Sequence, residues 1–143
     1  MNVKSKSGVI QDAIRLDMVK PVVEFILKQG ATPILFGHNG RLDKKKNKDD
    51  RQSLKDVAAY LSSLFSTDKV VFHENSISKD TGEGLKIGKS DIVPGAINLL
   101  ENVRFADEYE LGDKREEFAR SLIELSDGIY VLDAFGDVGS EGI

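Results

Sequence analysis

Between Ala96 and Phe105 the chain reads AINLLENVRF, and no other stretch restricts the fold as tightly. Ala96, Ile97, Leu99 and Leu100 form a nearly continuous apolar run, broken only by Asn98, which is the pattern of a parallel strand covered on both faces. The polarity then reverses abruptly. Glu101, Asn102 and Arg104 follow, at the carboxyl end where open α/β sheets hold their ligands.

Three other segments supply neighbouring strands. Ile34, Leu35 and Phe36 run into GHNGR, Gly37 to Arg41, whose glycines let backbone amides approach a ligand closely. Val70 to Phe72 ends at His73, Glu74 and Asn75, and Ile129 to Leu132 ends at Asp133. Helical patterns lie between them. Leu16, Val19, Val22, Val23, Ile26 and Leu27 recur at helical spacing and stop at Gly30, with Pro21 in the first turn. This predicts a helix beginning near Met18 to Lys20 and ending at Gln29, preceded by loop. Ser53 with Asp56 reads as a capping box ahead of a helix whose apolar face is Leu54, Val57, Ala58, Leu61 and Leu64. Phe118, Ala119, Leu122, Ile123 and Leu125 mark another, whereas Val9 and Ile10 after Gly8 read as a turn. Strands alternating with helices at this spacing specify an α/β fold, a mainly parallel sheet layered by helices.

At 143 residues there is room for one domain with a single core. Hydrophobic residues make up 40% and charged residues 31%, an ordinary globular balance, and a net charge of −4 argues against general affinity for nucleic acid or anionic membrane. Any positive site must be local. The absence of cysteine excludes disulfides and thiolate chemistry, and two well-separated histidines make no Cys/His zinc site. No apolar run approaches the ~20 residues of a membrane span, and MNVKSKSGVI lacks a signal peptide's apolar centre. The expected location is cytoplasmic.

Two stretches invite over-reading. Lys44, Lys45, Lys46 and Lys48 are followed at once by Asp49 and Asp50, so their field is cancelled and a solvated loop is the better reading. GLKIGKS, Gly84 to Ser90, imitates a phosphate-binding loop but is one residue short, with Glu83 where the motif requires glycine. The segment from Ile77 to Val93 is accordingly expected to be loop with one short helical turn.

The strand ends carry His38 with Arg41, His73 with Glu74, Glu101 with Arg104, and Asp133, while Arg15 sits in the loop opening the first helix. Taken singly, each arginine is more often a surface ion pair of little energetic weight. Brought to one rim, Arg15, Arg41 and Arg104 could hold a small molecule bearing phosphate and carboxylate, because the guanidinium fork binds both groups with paired hydrogen bonds.

Over nearly its whole length the chain resembles the N-terminal domain of phosphoglycerate kinase. The family's I-x-D-x-x-R-I loop corresponds to Ile10, Asp12, Arg15 and Leu16, and its H-L-G-R-P turn to His38, Asn39, Gly40, Arg41 and Leu42. Its L-L-E-N-x-R-F strand end stands intact at Leu99 to Phe105, and Asp133 to Gly136 gives its D-A-F-G. SLKDVA (Ser53 to Ala58) and EFARSLIELSDGIYV (Glu117 to Val131) extend the likeness.

The resemblance implies a three-layer Rossmann-like domain spanning residues 1–143, incomplete at both ends, with the first inner strand and the last strand missing. It implies phosphoryl transfer between 1,3-bisphosphoglycerate or 3-phosphoglycerate and ADP or ATP in glycolysis, this chain supplying the 3-phosphoglycerate-binding half. By position, Asn2, Arg15, His38, Asn39, Gly40, Arg41 and Arg104 would bind substrate, Arg41 and Arg104 foremost, with Arg15 and His38 the candidates for a catalytic role. The resemblance gives this chain no metal or cofactor of its own; MgATP or MgADP would belong to a complementing C-terminal domain.

Departures from the family pattern qualify that expectation. Lys4 and Leu42 stand where the family has proline and Asn39 where it has leucine; Met1, Asn2 and Val3 align with the F-N-V of R-V-D-F-N-V-P. Asp137, Val138, Gly139 and Ser140 replace a family A-H-R-x-H run whose arginine joins the substrate patch. The isolated chain is therefore expected not to turn over, and loss of an inner strand is expected to leave unpaired sheet edges. The alternative is a non-catalytic domain of the same descent that binds a phosphorylated metabolite or another protein.

Overall fold

The computed structural model of the chain describes residues 2–3, 5–6, 9–10, 13–43, 46–65, 69–79, 83–106 and 114–131. At its centre is a parallel three-stranded sheet. The apolar run at Ile97–Leu100, buried at every position, lies between Ile34–Leu35 and Val70–His73, with Leu35 and Phe72 both paired to Leu99. In chain order the strands are β1 (Asn2–Val3), β2 (Ser5–Lys6), β3 (Val9–Ile10), β4 (Ile34–Leu35), β5 (His38–Asn39), β6 (Leu42–Asp43), β7 (Lys48–Asp49), β8 (Val70–His73) and β9 (Ile97–Leu100). The helices are α1 (Ala13–Asp17), α2 (Lys20–Lys28), α3 (Lys55–Leu64) and α4 (Arg115–Leu125).

Side chains alternate across a strand, so Ile97 and Leu99 of β9 share one face. Leu99 meets Leu16 of α1 and Val57 and Leu61 of α3, while Ile97 meets Val23 of α2 and Val19 just before it. On the other side Phe118 and Leu122 of α4 pack with Phe36, Ile77, Leu85, Val103 and Phe105. Helices thus lie on both faces, the expected three layers. Asn98 is fully buried in the most apolar strand because its amide is saturated. Its Oδ1 lies 2.9 Å from His73 Nε2 and accepts from Val93 N at 2.9 Å, and its Nδ2 donates to the carbonyls of Val93 and Ala96, both at 3.1 Å.

The structure departs from the sequence expectations in several places. Residues 13–17, expected as loop, form α1, a short helix that buries Leu16 in the core. Val9 and Ile10, expected as a turn, pair antiparallel with Ser5 and Lys6. Ser53 does accept from Lys55 N at 3.1 Å, but Asp56 does not complete a capping box, and the Ser53 hydroxyl donates instead to Glu101 at 2.7 Å. Part of the lysine-rich loop is an antiparallel hairpin, β6 with β7.

Residues 129–131, expected as strand, are irregular and exposed. They follow a turn with Asp127 and Gly128 both at positive φ, and they face β4 across a groove of about 620 Å³ instead of bonding to it. Among the described residues β4 is paired only to β9. The remainder of that expected strand, the D-A-F-G at Asp133 to Gly136 and the residues from Asp137 onward lie outside the described residues, as do Asp12 and Lys4.

Candidate functional site

The carboxyl end of β9 does not open into solvent; it turns into a buried polar hub. Glu101, 3% exposed, accepts from Ser53 Oγ at 2.7 Å, from Leu54 N at 2.8 Å and from Asn102 N at 2.7 Å. A buried carboxylate is tolerable only with this many donors, and the first two fix the start of α3 to the end of β9. Asn102, fully buried, donates through Nδ2 to the carbonyls of Asn39 and Gln52, both at 2.7 Å, and its Oδ1 caps Arg104 N at 3.0 Å. That cap starts a single 3-10 turn, Val103–Phe105.

Arg104 is carried on this turn. Its Nη1 donates to the carbonyl of Gly40 at 2.9 Å, joining the GHNGR turn to the strand end that follows β9. Gly40 sits at φ +75°, and a Cβ there would fall 1.9 Å from the carbonyl oxygen of Asp50, so no other residue fits. The main chain of the turn is braced further by Val103 N to Gly37 O at 3.1 Å, Asp50 N to Arg41 O at 3.0 Å and Gln52 N to Asn39 O at 3.1 Å. Among the described residues no buried side-chain polar atom lacks a hydrogen bond.

Beside Gly40, β5 pairs in parallel with β1, Asn2 opposite His38 and Val3 opposite Asn39. Burial, assisted by the positive charge of Arg104, lowers the pKa of His38 from 6.5 to about 3. The ring is therefore neutral near pH 7. It can donate or accept one hydrogen bond without adding charge. Arg41 is exposed, immediately after Gly40, and Arg15 is exposed on α1, which packs against β1.

Of the expected site residues, the backbone of Asn2, His38, Gly40 and Arg104 are thus joined by direct pairing or short hydrogen bonds, and Arg41 adjoins them. Asn39 is 2% exposed, and its carbonyl accepts from Asn102. His73 does not join the cluster, because its ring nitrogen is held by Asn98. Glu101 serves the hub, not the rim. The phosphate-loop look-alike is a loop in the structure too: a 3-10 turn at Lys89–Asp91 with the Gly88 amide donating to the Asp91 carboxylate at 2.8 Å.

Sequence reasoning missed Asp49 and Arg51. Arg51 is 4% exposed, with Nε and Nη2 on the two carboxylate oxygens of Asp49 at 2.9 and 3.0 Å and Nη1 on the carbonyl of Arg104 at 2.8 Å. Nothing local marks them. They lie in the mixed-charge run whose ordinary fate is a solvated face, and only the β6–β7 hairpin turns one acid back toward the protein.

A rim carrying arginines, a neutral imidazole and a glycine turn suits recognition of a small anion, on a molecule whose overall charge is negative. No group of three or more His, Asp or Glu side chains that could ligate a metal occurs among the described residues. Nor is any described helix long and apolar enough to cross a membrane.

The family model described as "Phosphoglycerate kinase" matches residues 1–139. A phosphoglycerate kinase from Borreliella afzelii is 39% identical over 135 residues, covering 94% of this chain and 32% of the relative. One from Desulforudis audaxviator is 39% identical over 132 residues, 92% of this chain and 31% of the relative. The chain therefore spans about a third of the length of these relatives. The solved phosphoglycerate kinase of Coxiella burnetii superposes with a TM-score of 0.56 at 26% identity, over 88% of this chain and 29% of that one. The enzyme from Pyrococcus horikoshii gives 0.59 at 22% identity, over 87% and 31%, which bears on the fold alone.

Proposed function

Because this chain belongs to the phosphoglycerate kinase family, we propose that it supplies the half-site for 3-phosphoglycerate, or its acyl phosphate 1,3-bisphosphoglycerate, in phosphoryl exchange with ADP or ATP in the cytoplasm. The observation that carries this reading is the bond from Arg104 to Gly40, which brings a guanidinium from the end of β9 to the glycine turn that precedes Arg41. Phosphoryl transfer depends on positioning and charge neutralisation more than on covalent help from the protein. Arg41 and Arg104, with Arg15 from α1, supply guanidinium forks matched to carboxylate and phosphate oxygens. His38, neutral, hydrogen-bonds a substrate oxygen, while Asn2, Asn39 and Gly40 shape the turn through their main chain.

The nucleotide is the second substrate, and its site belongs to a complementing domain. Supporting this, the one segment resembling a phosphate loop has its Gly88 amide already bonded to Asp91. The chain alone does not turn over.

Calorimetric titration of the purified chain with 3-phosphoglycerate tests the proposal. A saturable heat with Kd at or below roughly 1 mM, about 4 kcal/mol of binding free energy, is expected to vanish in Arg104→Ala, and MgADP is expected to give none. Absence of binding by a chain that melts cooperatively would overturn the substrate assignment and favour a non-catalytic domain of the same descent.

A further inference from the structure

Asp49 reaches the 3-10 turn that carries Arg104 by two separate arms. In the first, its carboxylate takes both Nε and Nη2 of Arg51, at 2.9 and 3.0 Å, and the remaining terminal nitrogen of that guanidinium donates to the main-chain carbonyl of Arg104 at 2.8 Å. In the second, Asp49 Oδ2 holds Lys79 Nζ at 2.8 Å, and the same ammonium lies 5.6 Å from the centroid of the Phe105 ring. One carboxylate thus sets the position of two consecutive residues of a turn three residues long.

A turn this short has little rigidity of its own. Within it Phe105 N bonds to Asn102 O at 2.9 Å and Ala106 N to Val103 O at 3.3 Å, so the turn's own bonds engage the N–H of the Arg104–Phe105 peptide but not its carbonyl. The Arg51 bond to the Arg104 carbonyl holds the other end of that peptide plane. The Arg51 side chain is 2% exposed, so its fork is held out of water in a fixed orientation. Asp49 itself is kept ionised, its pKa held below the usual carboxylate range chiefly by the hydrogen bond from Arg51.

We propose that Asp49 and Arg51 are positioning residues for the anion site, which fix the main chain of Arg104 and thereby aim its guanidinium along the rim. This rests on the reading of Arg104 as a substrate-binding residue. Neither residue touches the ligand. Arg51 is enclosed by groups already bonded to it, and Asp49 carries the wrong charge. Their effect on affinity therefore passes through Arg104 or does not occur.

The test has two readouts on the full chain, using Arg51→Met and, as the milder variant, Asp49→Asn. The first is ¹⁵N relaxation of the Arg104 Nε–Hε group without ligand, expected to be ordered in the parent and mobile in both variants while the amide spectrum of the sheet is retained. The second is calorimetric affinity for 3-phosphoglycerate, in the parent and in an Arg104→Lys background. Each variant is expected to weaken binding about tenfold in the parent, equivalent to about 1.4 kcal/mol. In the Arg104→Lys background it is expected to change little, since there is no fork left to aim. Equal losses in both backgrounds, or an Arg104 Nε–Hε that stays ordered, would overturn the proposal. A parent that binds no 3-phosphoglycerate refutes the substrate assignment instead, and the relaxation measurement still decides whether Asp49 and Arg51 hold Arg104.

Discussion

His38 is the residue whose environment most changes its chemistry. Its folded pKa of about 3 lies below the 6.5 of an unfolded histidine, so between those values the unfolded chain binds a proton that the folded chain does not. The contribution is fully present above pH 6.5 and is lost as the pH falls from 6.5 toward 3. Thermal melts are expected to drop in midpoint from pH 7 to pH 4.5, and His38→Gln is expected to flatten that slope. An unchanged slope in the variant would assign the acid sensitivity to the carboxylates. At this scale the sequence was legible where a residue type allows one geometry. Gly40, on which no side chain fits, could be read from the GHNGR motif. Arg51 could not, because its significance comes from a carboxylate that a hairpin turns toward it.

Among elements, β9 was the most readable and the segment at 129–131 the least. Both are apolar runs of similar length, and local pattern does not distinguish them. What separates them is a partner: β9 has one on each side, whereas residues 129–131 face β4 across an open groove. β9 also depends on a polar residue. Removing the Asn98 amide strips partners from the main chain of Val93 and Ala96 and from His73 at once. Asn98→Leu is expected to cost about 2–4 kcal/mol in urea unfolding, from buried groups left unbonded, despite its greater apolar area. A loss under about 0.5 kcal/mol, the level of an ordinary surface change, would show that these groups find other partners.

For the whole molecule, the alternation of strands and helices gave the layering, and the comparisons with phosphoglycerate kinases agree with it. The groove beside β4 was legible only as an expected unpaired edge. It is lined by Val19, Val22, Ile26, Leu122 and Leu125, and its margin exposes Phe25, Ile129, Tyr130 and Val131. Exposed apolar surface of this kind recruits hydrophobic ligands and promotes association. The native chain is expected to enhance ANS fluorescence without denaturant, and Ile129→Lys with Val131→Lys to reduce the signal while the melting temperature holds. Undiminished fluorescence would place the dye elsewhere.

The middle position of β9 also has a consequence in time. Its two neighbours, β4 and β8, both precede it in the chain and meet only through it. During synthesis, at about 5–20 residues per second, each waits beside an empty place in the sheet until the central strand leaves the ribosome. Closing the long connection back to β4 is the entropically costly step. For that interval the nascent chain has helices and short strand pairs but not its central sheet, and it relies on chaperones or on speed to avoid pairing with the wrong strand.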